Sequence, residues 1–297
     1  MAEDQRQYRD RLFNFIFGAE ENRAWTLSLY NAVNGSDYTD PSAIQITTIR
    51  EVMYLGMHND VSFLISEEMH LYEQQSSYNP NMPLRMLQYA GNLYERYVVE
   101  RKLNKYGSAL LELPVPRLVV FYNGEREAAD VTELRLSDSF PRGARSDIEV
   151  CVRMLNVNYG RNGALLEACA PLREYAWLVK RIRDNKKRED LDSAIDRAVS
   201  ELPESFAIRP FLLAHRSEVK GMLLTEYDEA ATMELFKEDG RREGRKEGRK
   251  EGLVEGIIKT LVSMVRKNRL TLQEAAEEAN MTEAEFMKYM NEAQTEA

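Results

Sequence analysis

Apolar positions near the start of the chain recur at helical spacing. Leu12, Phe13, Ile16 and Phe17 form one cluster, and Trp25, Leu29 and Tyr30 continue it after Gly18. The spacing predicts helix from Tyr8 to Tyr30, broken at the glycine. Residues 34–42 are rich in turn formers. Ile44 to Ile49 alternates and is β-branched, as a strand does. Two more strands are expected over 60–65 and 69–75, tightly connected. Asn79, Pro80, Asn81 and Pro83 then open a helix running to about Val99. Its buried stripe is expected at Leu84, Leu87, Gly91, Tyr94 and Val98, with Arg85, Tyr89, Asn92 and Arg96 on a polar stripe. Residues 117–124 and 148–158 read as further strands. From Leu165 to about Phe236 the period is helical throughout. The pattern describes an α/β core, a mixed central sheet flanked by helices, followed by an all-helical C-terminal region.

The composition changes at residue 240. Glycines at 240, 244, 248, 252 and 256 repeat with a strict period of four. On a helix they form one row, beside a row of Glu243, Glu247, Glu251 and Glu255 and another with Arg245 and Arg249. Each glycine costs roughly 1 kcal/mol relative to alanine in a helix, so an isolated helix here is marginal. A glycine row permits close backbone approach, and a homo-oligomer assembled through this tail is expected; a solvated linker is the alternative. Residues 257–297 read as a small helical module with a turn at 280–282, Thr282 and Glu285 fitting a capping box. Acidic side chains outnumber basic ones there, which favours a packing module over a DNA-reading helix pair. The organisation expected is a core over 1–160, a helical extension over 161–239, the repeat over 240–256 and the module over 257–297.

A net charge of -9 argues against a generic basic nucleic-acid coat protein, yet leaves room for an enzyme with a local positive strip. Two cysteines, Cys151 and Cys169, make no disulfide framework. No run of about 18 apolar residues occurs and the N-terminus has no apolar signal region, so no membrane association is expected and a cytoplasmic protein is the plain reading.

The chemistry centres on the hairpin. A short connection pairs Ile65 with His70, Phe63 with Tyr72, Ser62 with Glu73 and Asp60 with Gln75. Paired residues share a face, so Asp60, Ser62, Glu73 and Gln75 fall together, opposite Val61, Phe63, Ile65 and Tyr72. Two carboxylates this close repel unless a cation lies between them. Hard oxygen ligands suit Mg²⁺ or Mn²⁺, which polarise a phosphodiester and activate water. Two solvated acids at a strand end satisfy the same pattern. His58 and His70 make no metal pattern, and no phosphate-binding loop or serine-nucleophile motif is present.

The segments NDVSFLI and LYEQQSSYNPNMPLRMLQYAGNLY resemble the signature block of the recombination-promoting nuclease family, a transposase-like branch of the PD-(D/E)XK nucleases. YRDRLFNFIFG, PRLVVFYNG and, weakly, the glycine tail extend the similarity to about residue 256. The resemblance implies a restriction-endonuclease-like core built in the order helix, three strands, helix, strand. It implies a Mg²⁺- or Mn²⁺-dependent endonuclease acting on DNA, with Asp60 as the metal aspartate and Glu73 as the acid of the (D/E)xK element. Gln75 stands where that element has lysine. Glutamine carries no charge and cannot act as a base, but it can orient water or contact a phosphate. Arg85 is the candidate source of the missing charge, with Tyr89 beside it as a substrate contact. Asp10 is a candidate third metal acid, and Glu51 a weaker one. A core that has lost catalysis and serves in DNA binding or self-assembly is the alternative.

Overall fold

The computed structural model describes residues 12–47 and 61–295; Asp10, Glu51, His58 and Asp60 lie outside them. The chain divides into two compact units, 1–230 and 231–297.

The first unit holds a mixed sheet, six-stranded among the described residues, flanked by helices. Helices α1 (Leu12–Phe17) and α2 (Arg23–Asn34) come first, with Gly18 between them as expected. Then come β1 (Gln45–Ile46), β2 (Val61–Ile65) and β3 (Glu68–Gln75), each antiparallel to its neighbour. Helix α3 (Met82–Glu100) follows, with Pro83 in its first turn. Strand β4 (Val115–Tyr122) returns parallel to β3. Strand β5 (Val131–Arg135) is antiparallel to β6 (Cys151–Asn156), which lies parallel to β4. The spatial order is β1-β2-β3-β4-β6-β5.

Both faces of the sheet are covered, which is why all five residues of β2 are buried and the strand reads as an almost continuous apolar run. Val61, Phe63, Ile65, Tyr72, Val119 and Phe121 pack on one face with α1, α2 and the later helix α5 (Ala170–Lys186). Phe13 lies 5.0 Å from the Phe121 ring and 5.7 Å from that of Tyr175, so α1 and α5 meet the sheet through aromatic contacts. Leu64, Met69, Leu71, Val120 and Tyr122 form the other face, under Met82, Met86, Tyr89 and Leu93 of α3. Helices α4 (Gly163–Ala168), α6 (Leu191–Ser200) and α7 (Arg209–Ala214) continue the helical region. Leu166, Ile195, Leu212 and Val219 join the α1 side of the core.

Three expectations change. The hairpin turns at Ser66–Glu67, so Ile65 pairs with Glu68 and Val61 with Tyr72, a register displaced by two residues from the expected one. A displacement of two preserves parity, so Ser62, Glu73 and Gln75 still share a face opposite Val61, Phe63, Ile65 and Tyr72. The buried stripe of helix α3 is only partly the expected one: Val98 is buried and Leu87 and Tyr94 pack against the same core. Leu84 is exposed and so is Gly91, while Met82, Met86, Tyr89, Ala90 and Leu93 are buried. Strand β5 was not expected at all, and β6 is shorter than 148–158.

Helix α8 (Arg216–Arg266) contains the glycine repeat, so the tail is helical as expected. In the second unit, α8 is followed by α9 (Leu272–Glu278) and α10 (Glu283–Thr295). Ile258, Leu261 and Val262 pack with Ala275, Ala276 and Phe286. The Thr282–Glu285 capping box forms, and Thr271–Glu274 makes a second one. No helix among the described residues is long and apolar enough to cross a membrane.

Candidate active site

Glu73 and Gln75 lie near the end of β3, on the sheet face that α3 covers. Period-two alternation puts them on one side, with Ser62 of β2. All three are buried. After β3, residues 76–81 turn the chain so that α3 crosses back over this face. That path places Arg85, in the first turn of α3, beside Glu73.

Arg85 Nη2 donates to Glu73 Oε1 at 2.6 Å and to the Tyr89 hydroxyl oxygen at 2.9 Å. Gln75 Nε2 donates to the same Glu73 oxygen at 3.4 Å. Arg85 Nη1 approaches Met82 Sδ at 3.5 Å, and the guanidinium carbon lies 5.7 Å from the centre of the Tyr89 ring. The structure therefore brings Glu73, Gln75, Arg85 and Tyr89 into one cluster. Tyr89 is 3% exposed, so it belongs to the buried side of α3, and Arg85 meets both its hydroxyl and its ring. The Glu73 carboxylate also already has a cation. The expectation that a neighbouring acid leaves it repelled until metal arrives omits the guanidinium at 2.6 Å.

A carboxylate and an amide oxygen are donors for a hard cation. Their number falls short of a metal site. Among the described residues no group of three or more His, Cys, Asp or Glu side chains is placed to hold an ion. Asp60 and Asp10, the further ligands that the resemblance implies, lie outside the described residues.

On the opposite face His70 is fully buried, stacked on Phe63 at 5.1 Å with Nε2 at 2.9 Å from Glu68 Oε2. Burial pushes its pKa below the ordinary histidine value, against the raising influence of Glu68. Its ring packs among Tyr30, Phe63 and Tyr72 on the buried face opposite Glu73. Arg117 also pairs with Glu68, at 2.6 Å.

Sequence reasoning missed a second polar centre, at the ends of β4 and β6. Asn156 Nδ2 donates to the Ala128 carbonyl at 2.9 Å, and Asn158 Nδ2 donates to that of Gly124 at 2.9 Å. Arg183 of α5 donates to Asn158 Oδ1 and to the carbonyl of Asn123. The available signal was the asparagine spacing, Asn123-Gly124 and Asn156-Val157-Asn158, directly after two strands.

No family model, curated protein or solved structure matches the chain.

Proposed function

We propose that the chain is a metal-dependent endonuclease on a PD-(D/E)XK core, of the recombination-promoting nuclease type, hydrolysing phosphodiester bonds in DNA. The observation that carries this reading is the buried Glu73 at the end of a central strand, held at 2.6 Å by an arginine from the next helix with Gln75 beside it. The element order supports it as well. A helix, three antiparallel strands, a crossover helix and a parallel strand are the order that the resemblance implied. Asp60 precedes Val61 in the chain, and Val61 pairs with Tyr72, the residue before Glu73.

In this reading Glu73, with Asp60 and Asp10, would hold Mg²⁺ or Mn²⁺, which would supply Lewis-acid activation of a phosphodiester and of the attacking water. Arg85 meets the charge that develops on the phosphate, and Tyr89 fixes the guanidinium. Gln75, neutral at the lysine position, orients water through its amide. DNA is the substrate and partner, and copies assemble through the glycine tail. The test is thermal melting with and without Mn²⁺. A ion bound only by the native state raises the melting temperature of wild type, and Glu73→Ala and Asp60→Ala lose that response. An identical response in all three proteins removes the site.

A second reading rests on the same ion pair. Arg85 engages the carboxylate directly, and Gln75 brings no charge. These are also the features of a core retained for DNA binding or self-assembly without catalysis. DNA binding that persists with no metal-dependent cleavage selects it.

A further inference from the structure

Beyond the ends of β4 and β6 lies a cavity of about 740 Å³, lined by the loops after both strands and by α5. Its lining draws on both sides of the sheet: α5 covers the face opposite Glu73, whereas Asn156 shares the Glu73 face through Tyr122 and Gln75. Helix α3 follows β3 onto one face, whereas α5 follows β6 onto the opposite one. The cavity lies at the carboxyl ends of the parallel strands β4 and β6, the end of an open α/β sheet at which ligands bind.

The chain is acidic, yet this cavity is basic. Arg126, Arg161, Lys180, Arg183, Lys186 and Lys187 line it, against Glu125, Glu127 and Asp184. Lys180 and Lys187 share a single acid, Asp184, at 2.6 and 2.9 Å. Arg183 is built into place. Its side chain is 20% exposed and donates to two neutral acceptors, Asn158 Oδ1 and the Asn123 carbonyl, while its paired acid, Glu125, stands 4.0 Å away. Such a guanidinium is oriented before any ligand arrives, and its geometry matches phosphate oxygens. Val157, Ala176 and Val179 add an apolar wall.

We propose that this cavity binds a small phosphate-bearing ligand of nucleoside-monophosphate size, with Arg183 as the anchoring cation. The volume lies in the range of small-molecule sites, roughly 300–1,000 Å³. The cations converge from two loops and one helix around a hollow, whereas an extended nucleic-acid backbone calls for a strip. The site is distinct from the proposed nuclease centre and does not depend on it.

The test is calorimetric titration of the full-length protein with inorganic phosphate and with a nucleoside 5′-monophosphate. Saturable binding of both is expected, the monophosphate displacing phosphate. Arg183→Gln should weaken binding by about tenfold or more. Because Arg183 also ties two loops together, Lys186→Gln/Lys187→Gln provides a variant at the rim, expected to weaken binding severalfold while the ligand-free melting temperature holds. Glu73→Ala should bind as wild type does. The proposal is overturned by absence of saturable binding at millimolar ligand, by wild-type affinity in both cation variants, or by loss of binding in Glu73→Ala. Tighter binding of a single-stranded oligonucleotide at these same residues would also overturn it, in favour of a polymer site.

Discussion

The Arg85–Glu73 pair can be weighed independently of any reaction. Its atoms are 2.6 Å apart, with the Glu73 side chain 3% exposed and that of Arg85 32%. Removing one partner of a fully buried pair costs about 3–5 kcal/mol, and an exposed pair contributes about 0–1 kcal/mol. A buried acid with a one-third exposed cation belongs between these, at about 2 kcal/mol. Arg85→Met removes the guanidinium and keeps an apolar stem, and Glu73→Gln removes the charge and keeps the shape. Each should lower the melting temperature of the sheet-bearing unit by roughly 4–8 °C. Combined, they should cost less than their sum, with a coupling of about 1–2 kcal/mol. The chain has two tryptophans, Trp25 and Trp177, and both lie in this unit, so urea unfolding followed by tryptophan fluorescence reads it specifically. A coupling within about 0.5 kcal/mol of zero would refute the reasoning. So would a gain in stability in Glu73→Gln, since that is the outcome of a carboxylate dominated by repulsion from a neighbouring acid.

Three further outcomes are expected. Gln75→Lys should preserve or raise metal-dependent cleavage, because it restores charge beside Glu73; reduced cleavage would show that the amide itself is needed. His70 has a folded pKa depressed by burial, so its contribution is fully present above the ordinary value of about 6.5 and is lost as pH falls toward the folded value. In stability-versus-pH curves His70→Phe should flatten the acid limb by up to about 1.4 kcal/mol per pH unit, and an unchanged slope would rule this out. The chain truncated after Asp239 should lose self-association in sedimentation, and Gly248→Ala should weaken it in the full chain; an unchanged oligomeric state in both contradicts assembly through the glycine row.

Much of the sheet was legible because strand alternation is robust to small errors. Displacing the hairpin by two residues left Glu73 and Gln75 on one face and Tyr72 on the other. The displacement itself was not legible, because the turn places Ser66, a residue with no marked preference for it, at φ 52°. Helix α3 carries apolar residues around most of its circumference. A stripe through Leu84 and Gly91 competed with one through Met82, Met86 and Leu93, and only packing against Leu71 and Val120 decides between them. Strand β5 escaped because an edge strand with one buried residue, Leu134, has almost no apolar signal. The contact of Arg85 with Glu73 spans a turn and a change of element, so the sequence offered Arg85 only as a source of charge near Gln75 and not as the partner of Glu73 at 2.6 Å.

Metal-dependent cleavage is read out by supercoiled plasmid incubated with purified protein in Mg²⁺, Mn²⁺ or EDTA, beside Asp60→Ala and Glu73→Ala. Wild type should nick or linearise the plasmid in either metal and not in EDTA, and neither variant should cut it while both remain folded. Wild type that leaves the plasmid intact in both metals, or either variant cutting as well as wild type, would contradict the proposed nuclease function.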